Sequence, residues 1–337
     1  MIITYLTHDL ENGIAAVQRT QPTTRTSTLM LAVASAAAFG TSGAFVKPLL
    51  EAGWSPAAAV AVRAAGGGLV LLIPALIALR GRYRLLLARW RLVVAYGTIA
   101  VVGTQVFYFA AIERLPVGVA LLLEYSAPIL LVLLAWARTR AAPRALTIGG
   151  AALSIAGLVL VVQPSGGSGL DILGVVFGLG AAVCVAGYFL LSAAPSGGLP
   201  PVALVCSGLL VGASALLIVG ASGLLPLTTS FEPVNLLGFT DLWWGAPMSV
   251  VVVIATAFAY FSGIIATSKL GSRVASFVGL LEVLFAILVA WWLLGEVPTA
   301  LQGVGGALIV AGIVCVRLER SNPAVTLENG EQPIPEE

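Results

Sequence analysis

The chain has 337 residues, of which 59% are apolar and only 9% charged, and its net charge is +2. A soluble domain carries about 25% charged residues, so this composition excludes a water-wetted surface and predicts an integral membrane protein. The net charge by itself says nothing about partners, no nucleic-acid partner is expected, and the 38 glycines suit helices that approach closely in lipid.

Residues 1–27 are polar and mixed, with neither the basic start nor the early apolar stretch of a cleaved signal. They read as a disordered cytoplasmic tail, or as residues ahead of a true start at Met30. A helix needs about 20 apolar residues to cross hydrocarbon, and ten stretches meet that length. The first five are Thr28–Leu50, Pro56–Leu79, Trp90–Ile112, Pro116–Trp136 and Ala145–Gln163. After a short linker at 164–169 come Leu170–Ala193, Leu199–Ser222, Trp243–Ser268, Gly271–Leu294 and Thr299–Arg317. Residues 318–337 are acidic, contain proline and read as a second disordered tail. The expected fold class is therefore all-α integral membrane, with ten transmembrane helices.

With the N-terminus in the cytoplasm, all Lys and Arg except Lys47, Arg63 and Arg114 fall on cytoplasmic segments. That asymmetry predicts a plasma-membrane protein with both termini inside. All seven tryptophans sit at predicted span ends, where interfacial anchors belong.

Sliding the sequence by 155 positions lays Leu115, Val119 and Ala120 on Leu270, Val274 and Ala275, and Gly150 and Gly157 on Gly305 and Gly312. Residues 28–163 and 170–317 thus form two repeats of five spans. An odd number of spans per unit inverts the second copy, an arrangement characteristic of secondary transporters with a site between the halves.

Arg63, Glu124 and Glu282 are the ionisable residues deep within spans. Charges there are costly and face a cavity or one another. Arg63, Glu124, Gln105, Thr41 and Ser42 lie at one depth, roughly 10–12 Å below the outer surface at 1.5 Å per residue. The functional reading is a binding layer. Arg63 takes a substrate carboxylate, Glu124 meets an amine or a transported proton, and Gln105 and Tyr108 set orientation. The structural alternative is an Arg63–Glu124 ion pair that only fixes packing. Pro128 cannot donate to the Glu124 carbonyl, which predicts a kink there. Glu282, placed on Ala127 by the repeat, is a second proton-coupling candidate or a satisfied structural carboxylate. Tyr260, the repeat partner of Gln105, is a further cavity candidate, with Phe39, Phe107 and Tyr188 weaker ones. Cys184, Cys206 and Cys315 read as small buried apolar residues. No catalytic constellation, metal site, nucleotide loop or cofactor is expected.

These features resemble the drug/metabolite transporter superfamily in its EamA-type branch of ten-helix carriers. Leu115-Pro116-Val117-Gly118-Val119-Ala120, followed by Leu121 to Glu124 and Tyr125-Ser126-Ala127-Pro128, resembles the fourth span of bacterial threonine/homoserine exporters. Leu281-Glu282-Val283-Leu284-Phe285 and Leu294-Gly295-Glu296 resemble two segments of the second unit. Val283 stands where that family carries proline, and Thr139-Arg140-Ala141 where its Leu-Gly-Glu would be. The resemblance implies a basket of helices around a central cavity, with spans five and ten peripheral. It also implies export of amino acids, related metabolites or drugs. The expected partners are a small-molecule substrate and the bilayer, with a homodimer left open. Multidrug or cationic-compound efflux and uncoupled exchange are the rival functions.

Overall fold

In hydrocarbon every backbone N–H and C=O must be satisfied within its own segment, so spanning segments close into helices. The computed structural model of the protein describes residues 22–115, 117–140, 142–162, 171–236, 239–295 and 297–320. The linker at 164–169, most of both tails and Glu296 lie outside the described residues. Among the described residues, nine helices are long and apolar enough to cross a membrane: Thr26–Glu51, Trp90–Ile112, Val119–Thr139, Ala145–Val162, Ile172–Ala193, Pro201–Ala221, Gly245–Leu270, Ser272–Leu293 and Ala300–Leu318. Two further helices, Pro56–Val70 and Leu72–Leu79, bent by 42°, make a tenth when taken as one span. The outward faces carry large bare aliphatic and aromatic groups, such as Ile73, Ile218 and Trp292 at 69–80% exposure. Only lipid tolerates such a surface.

The bend in the second span has a local cause. Pro74 lacks the N–H that would bond the Val70 carbonyl, and Gly66, Gly67 and Gly68 precede the break. The first helix, Pro22–Glu51, begins inside the stretch read as a tail, and the last, Ala300–Arg320, runs slightly past Arg317. A further departure from an all-helical plan is a short antiparallel hairpin, β1 (Val234–Leu236) and β2 (Phe239–Leu242), between the seventh and eighth spans. Its leading loop is pinned to the second span by Ser55. The Ser55 hydroxyl accepts from the Ala58 amide at 3.3 Å, capping that helix, and donates to the Pro226 carbonyl at 2.7 Å.

The repeat reappears in the irregularities. The third span widens to a π-helical stretch over Tyr96–Gly103, and the eighth does so over Val253–Phe258, the same place after a 155-residue shift. The fourth span breaks between Val117–Glu124 and Ala127–Thr139, and the ninth between Ser272–Gly279 and Leu281–Leu294. These breaks are also 155 residues apart. Pro128 sits in the first turn of the helix after its break, where its missing N–H costs nothing. Val283 occupies the equivalent place beyond the second break, so proline alone does not set the interruption.

Spans five and ten pack chiefly on each other. Their crossing is reciprocal: Gly150 abuts the Gly312 backbone and Gly157 abuts Gly305. Because the 155-residue shift carries Gly150 to Gly305 and Gly157 to Gly312, the two contacts exchange under it, as across a twofold axis.

Candidate functional site

One cavity of about 140 Å³ opens where the interrupted spans meet. A single water occupies about 10–15 Å³ by such a measure, so the space suits several waters or the polar part of a small solute. Seven spans line it, through Ser35 and Phe39, Arg63, Gln105, Glu124 and Tyr125, Tyr188 and Phe189, Tyr260, and Glu282 among others. Spans five, seven and ten contribute nothing to it.

The cavity lies on the pseudo-twofold. Gln105 and Tyr260, Glu124 and Gly279, Tyr125 and Leu280, and Ala127 and Glu282 are 155-residue pairs, and both members of each pair line it. Glu124 and Glu282 are therefore not repeat mates. Each stands beside its own helix break, and both line the cavity.

Arg63 is half-buried and its guanidinium donates to the Ser42 hydroxyl at 2.8 Å. Among the described residues no ion pair joins it to either carboxylate, so the predicted Arg63–Glu124 staple is open here. Tyr260 lies against the guanidinium and Tyr125 lies against the Glu282 carboxyl.

Arg63, Gln105, Glu124, Pro128, Tyr260 and Glu282 all line the cavity. Ser42 stands behind them, reaching the site through Arg63. Thr41 turns back on its own helix, its hydroxyl donating to the Ala38 carbonyl at 2.7 Å. Tyr108 lies near Glu124 and packs on Phe109, outside the cavity lining. Phe39 and Tyr188 line the cavity, whereas Phe107 faces outward against Phe177. Sequence reasoning missed Ser35, Tyr125 and Phe189. Tyr125 had a signal, since it adjoins Glu124 at the break; the other two had none. Among the described residues no group of three or more His, Cys, Asp or Glu is placed to hold a metal.

Toward the arginine-rich ends of the spans the cavity gives way to an aromatic cluster. Phe39 meets Tyr260 edge-on at 4.9 Å, Tyr260 meets Tyr188 at 5.8 Å, and Tyr188 meets Tyr96 at 6.0 Å. Ser192 lies beside the hydroxyls of Tyr96 and Tyr188. Tyr96 and Ser192 are both buried.

Inverted helical repeats closing on a polar cavity define a membrane carrier. The family comparison agrees: residues 26–163 and 172–318 both match the EamA-like transporter family. The chain belongs to that family, and it is a multi-pass membrane transporter, not an enzyme. It is 29% identical over 213 residues to the uncharacterized transporter YwfM of Bacillus subtilis (strain 168), covering 63% of this chain and 68% of that protein. A solved crystal structure, 21% identical, superposes with a TM-score of 0.70 over 88% of this chain and 99% of its own. At that identity it speaks for the fold alone.

Proposed function

We propose that this transporter exports small zwitterions, amino acids and related metabolites, by alternating access, with its arginine-rich face in the cytoplasm. The observation that carries the reading is one fixed cation and two carboxylates in a single cavity at the repeat interface. The Arg63 fork matches a carboxylate bidentately, and Glu124 and Glu282 suit an ammonium group. A zwitterion adds no net charge to a site whose fixed groups sum to minus one. One proton completes the balance, which supports coupling to a proton gradient. One charge moving through 100 mV releases about 2.3 kcal/mol, enough to drive tens-fold accumulation.

The second reading is efflux of organic cations, favoured by the two carboxylates and by the aromatic rings of Phe39, Tyr188 and Tyr260. Arg63 opposes it, because a fixed cation inside the site repels such a ligand. Reconstituted protein separates the two. Counterflow of a radiolabelled protein hydrolysate, faster under a pH gradient, is the expected result. Flux of a quaternary ammonium compound without amino-acid flux would overturn the proposal.

A further inference from the structure

We infer that the connection between spans two and three is a binding site for an anionic phospholipid, whose headgroup meets Arg84 and Arg91 while an acyl chain lies along Leu87. The site is separate from the cavity and from the solute that the cavity takes.

Five arginines, Arg80, Arg82, Arg84, Arg89 and Arg91, fall within twelve residues, and no Asp or Glu stands between Glu51 and Glu113. Span two ends where Arg80 turns left-handed. A short helix, Arg84–Ala88, follows. Hydrogen bonds from the Arg89 and Val93 amides to the Leu85 and Arg89 carbonyls carry the helical path on into span three. Leu85 and Leu86 pack on the core, and the Arg89 guanidinium lies over Gly197. Arg84, Leu87, Ala88 and Arg91 are all exposed, and their i, i+3, i+4, i+7 spacing makes them one helical face.

That face mixes groups that neither water nor hydrocarbon accepts together. Leu87 is 74% exposed and the neighbouring Trp90 55%, which is unfavourable in water. Arg84 and Arg91 are costly in hydrocarbon. The headgroup boundary accepts both kinds, with apolar groups against acyl chains and guanidinium groups against phosphate. The Arg91 guanidinium lies 5.6 Å from the Trp90 ring centroid, so a cation and an interfacial anchor share one place. Among the described residues no carboxylate pairs with Arg80, Arg82, Arg84 or Arg91, which leaves their counter-charge to the bilayer. An anionic headgroup supplies it, whereas a zwitterionic one brings a cation of its own. The connection bearing Arg138, Arg140 and Arg144 has no large apolar residue among its arginines, so it offers charge without an apolar seat.

Full-length protein, stripped of lipid in detergent, tests the site. It is titrated with phosphatidylglycerol or phosphatidylcholine, and bound lipid is counted by native mass spectrometry. The wild type is expected to hold phosphatidylglycerol about tenfold more tightly, or better. Arg84→Gln and Arg91→Gln should each weaken phosphatidylglycerol about fivefold, the worth of one surface cation, and leave phosphatidylcholine unchanged. Arg84→Lys and Arg91→Lys keep the charge and should keep most of the preference. Leu87→Gln should weaken both lipids. The double variant Arg138→Gln, Arg140→Gln is the control and should bind as the wild type does. Equal affinity for the two lipids would overturn the site and leave the basic face to an acidic polypeptide. An equal loss in the control would overturn it too, because the whole arginine-rich face would then attract lipid without a seat. Displacement of the lipid by an equimolar amount of glycerol phosphate would do the same, in favour of a soluble anion.

Discussion

Gly157 and Gly305 face each other so closely that the backbone carbonyl of each occupies the space a side chain would take on the other. Gly150 and Gly312 repeat the contact one repeat-shift away, and together they join the two peripheral spans. No aliphatic side chain fits between these backbones. Gly157→Val and Gly305→Val are each expected to destabilise the protein by about 1–3 kcal/mol or more, as overpacking does. Gly149→Ala and Gly303→Ala are the controls, on the same helices but facing open space, and they should be neutral or slightly stabilising. Thermal midpoints in detergent check both sets.

Arg63 supplies the fixed positive charge of the cavity. Removing its charge-assisted hydrogen bonds in Arg63→Ala should cost about 1.5–3 kcal/mol of solute binding, which is roughly ten- to a hundredfold in affinity. Arg63→Lys keeps the charge but loses the planar fork, so it should restore only part of that affinity. Ser42→Ala, which removes the acceptor that orients the guanidinium, should have the smaller effect. Equilibrium binding measures all three.

The two carboxylates answer to a charge balance. With both present, the site needs one proton beside a zwitterion. Glu124→Gln or Glu282→Gln leaves a single carboxylate against Arg63, and the balance then closes without a proton. Either variant should lose accumulation driven by a pH gradient while retaining counterflow. Accumulation that persists in both variants would exclude these residues as the proton carriers.

Asp171 gives a test at the membrane edge. Its carboxylate caps the sixth span, accepting from the Leu173 amide at 2.8 Å and the Gly174 amide at 3.1 Å, and pairs with Arg114 at 3.4 Å. These contacts, the Gly174 amide foremost, hold its pKa below the ordinary carboxylate value. A depressed folded-state pKa contributes stability that is fully present above the unfolded value and lost as pH falls through the folded one. Asp171→Ala should therefore lower the thermal midpoint at neutral pH. The gap to wild type should close in acid, as Asp171 takes up its proton. Arg114 adds a partner on the connection between spans three and four, so Arg114→Ala should lower the midpoint by less.

Much of this arrangement was readable in residue order. Buried charge is costly in hydrocarbon, so Arg63, Glu124 and Glu282 stood out against an apolar background, and all three line the cavity. Gln105 followed from its depth in span three, and Tyr260 from the repeat. Thr41 did not, because a hydroxyl on a helix can satisfy itself on the preceding turn, as it does with Ala38. Ser35 and Phe189 left no sign, being ordinary residues for any packed span. The π-helical stretches at Tyr96–Gly103 and Val253–Phe258 were likewise silent, since no proline marks them.

Residue order alone determined that this chain spans a membrane, how often it can do so, and that its second half repeats the first. Those properties depend on composition, segment length and spacing, which are local. Only the folded chain decided that Arg63 forms no ion pair with Glu124 and that two carboxylates from non-equivalent repeat positions share one cavity. Each of these depends on how far one helix is rotated and slid against another. In lipid that is set by side-chain packing between spans, which no single segment encodes.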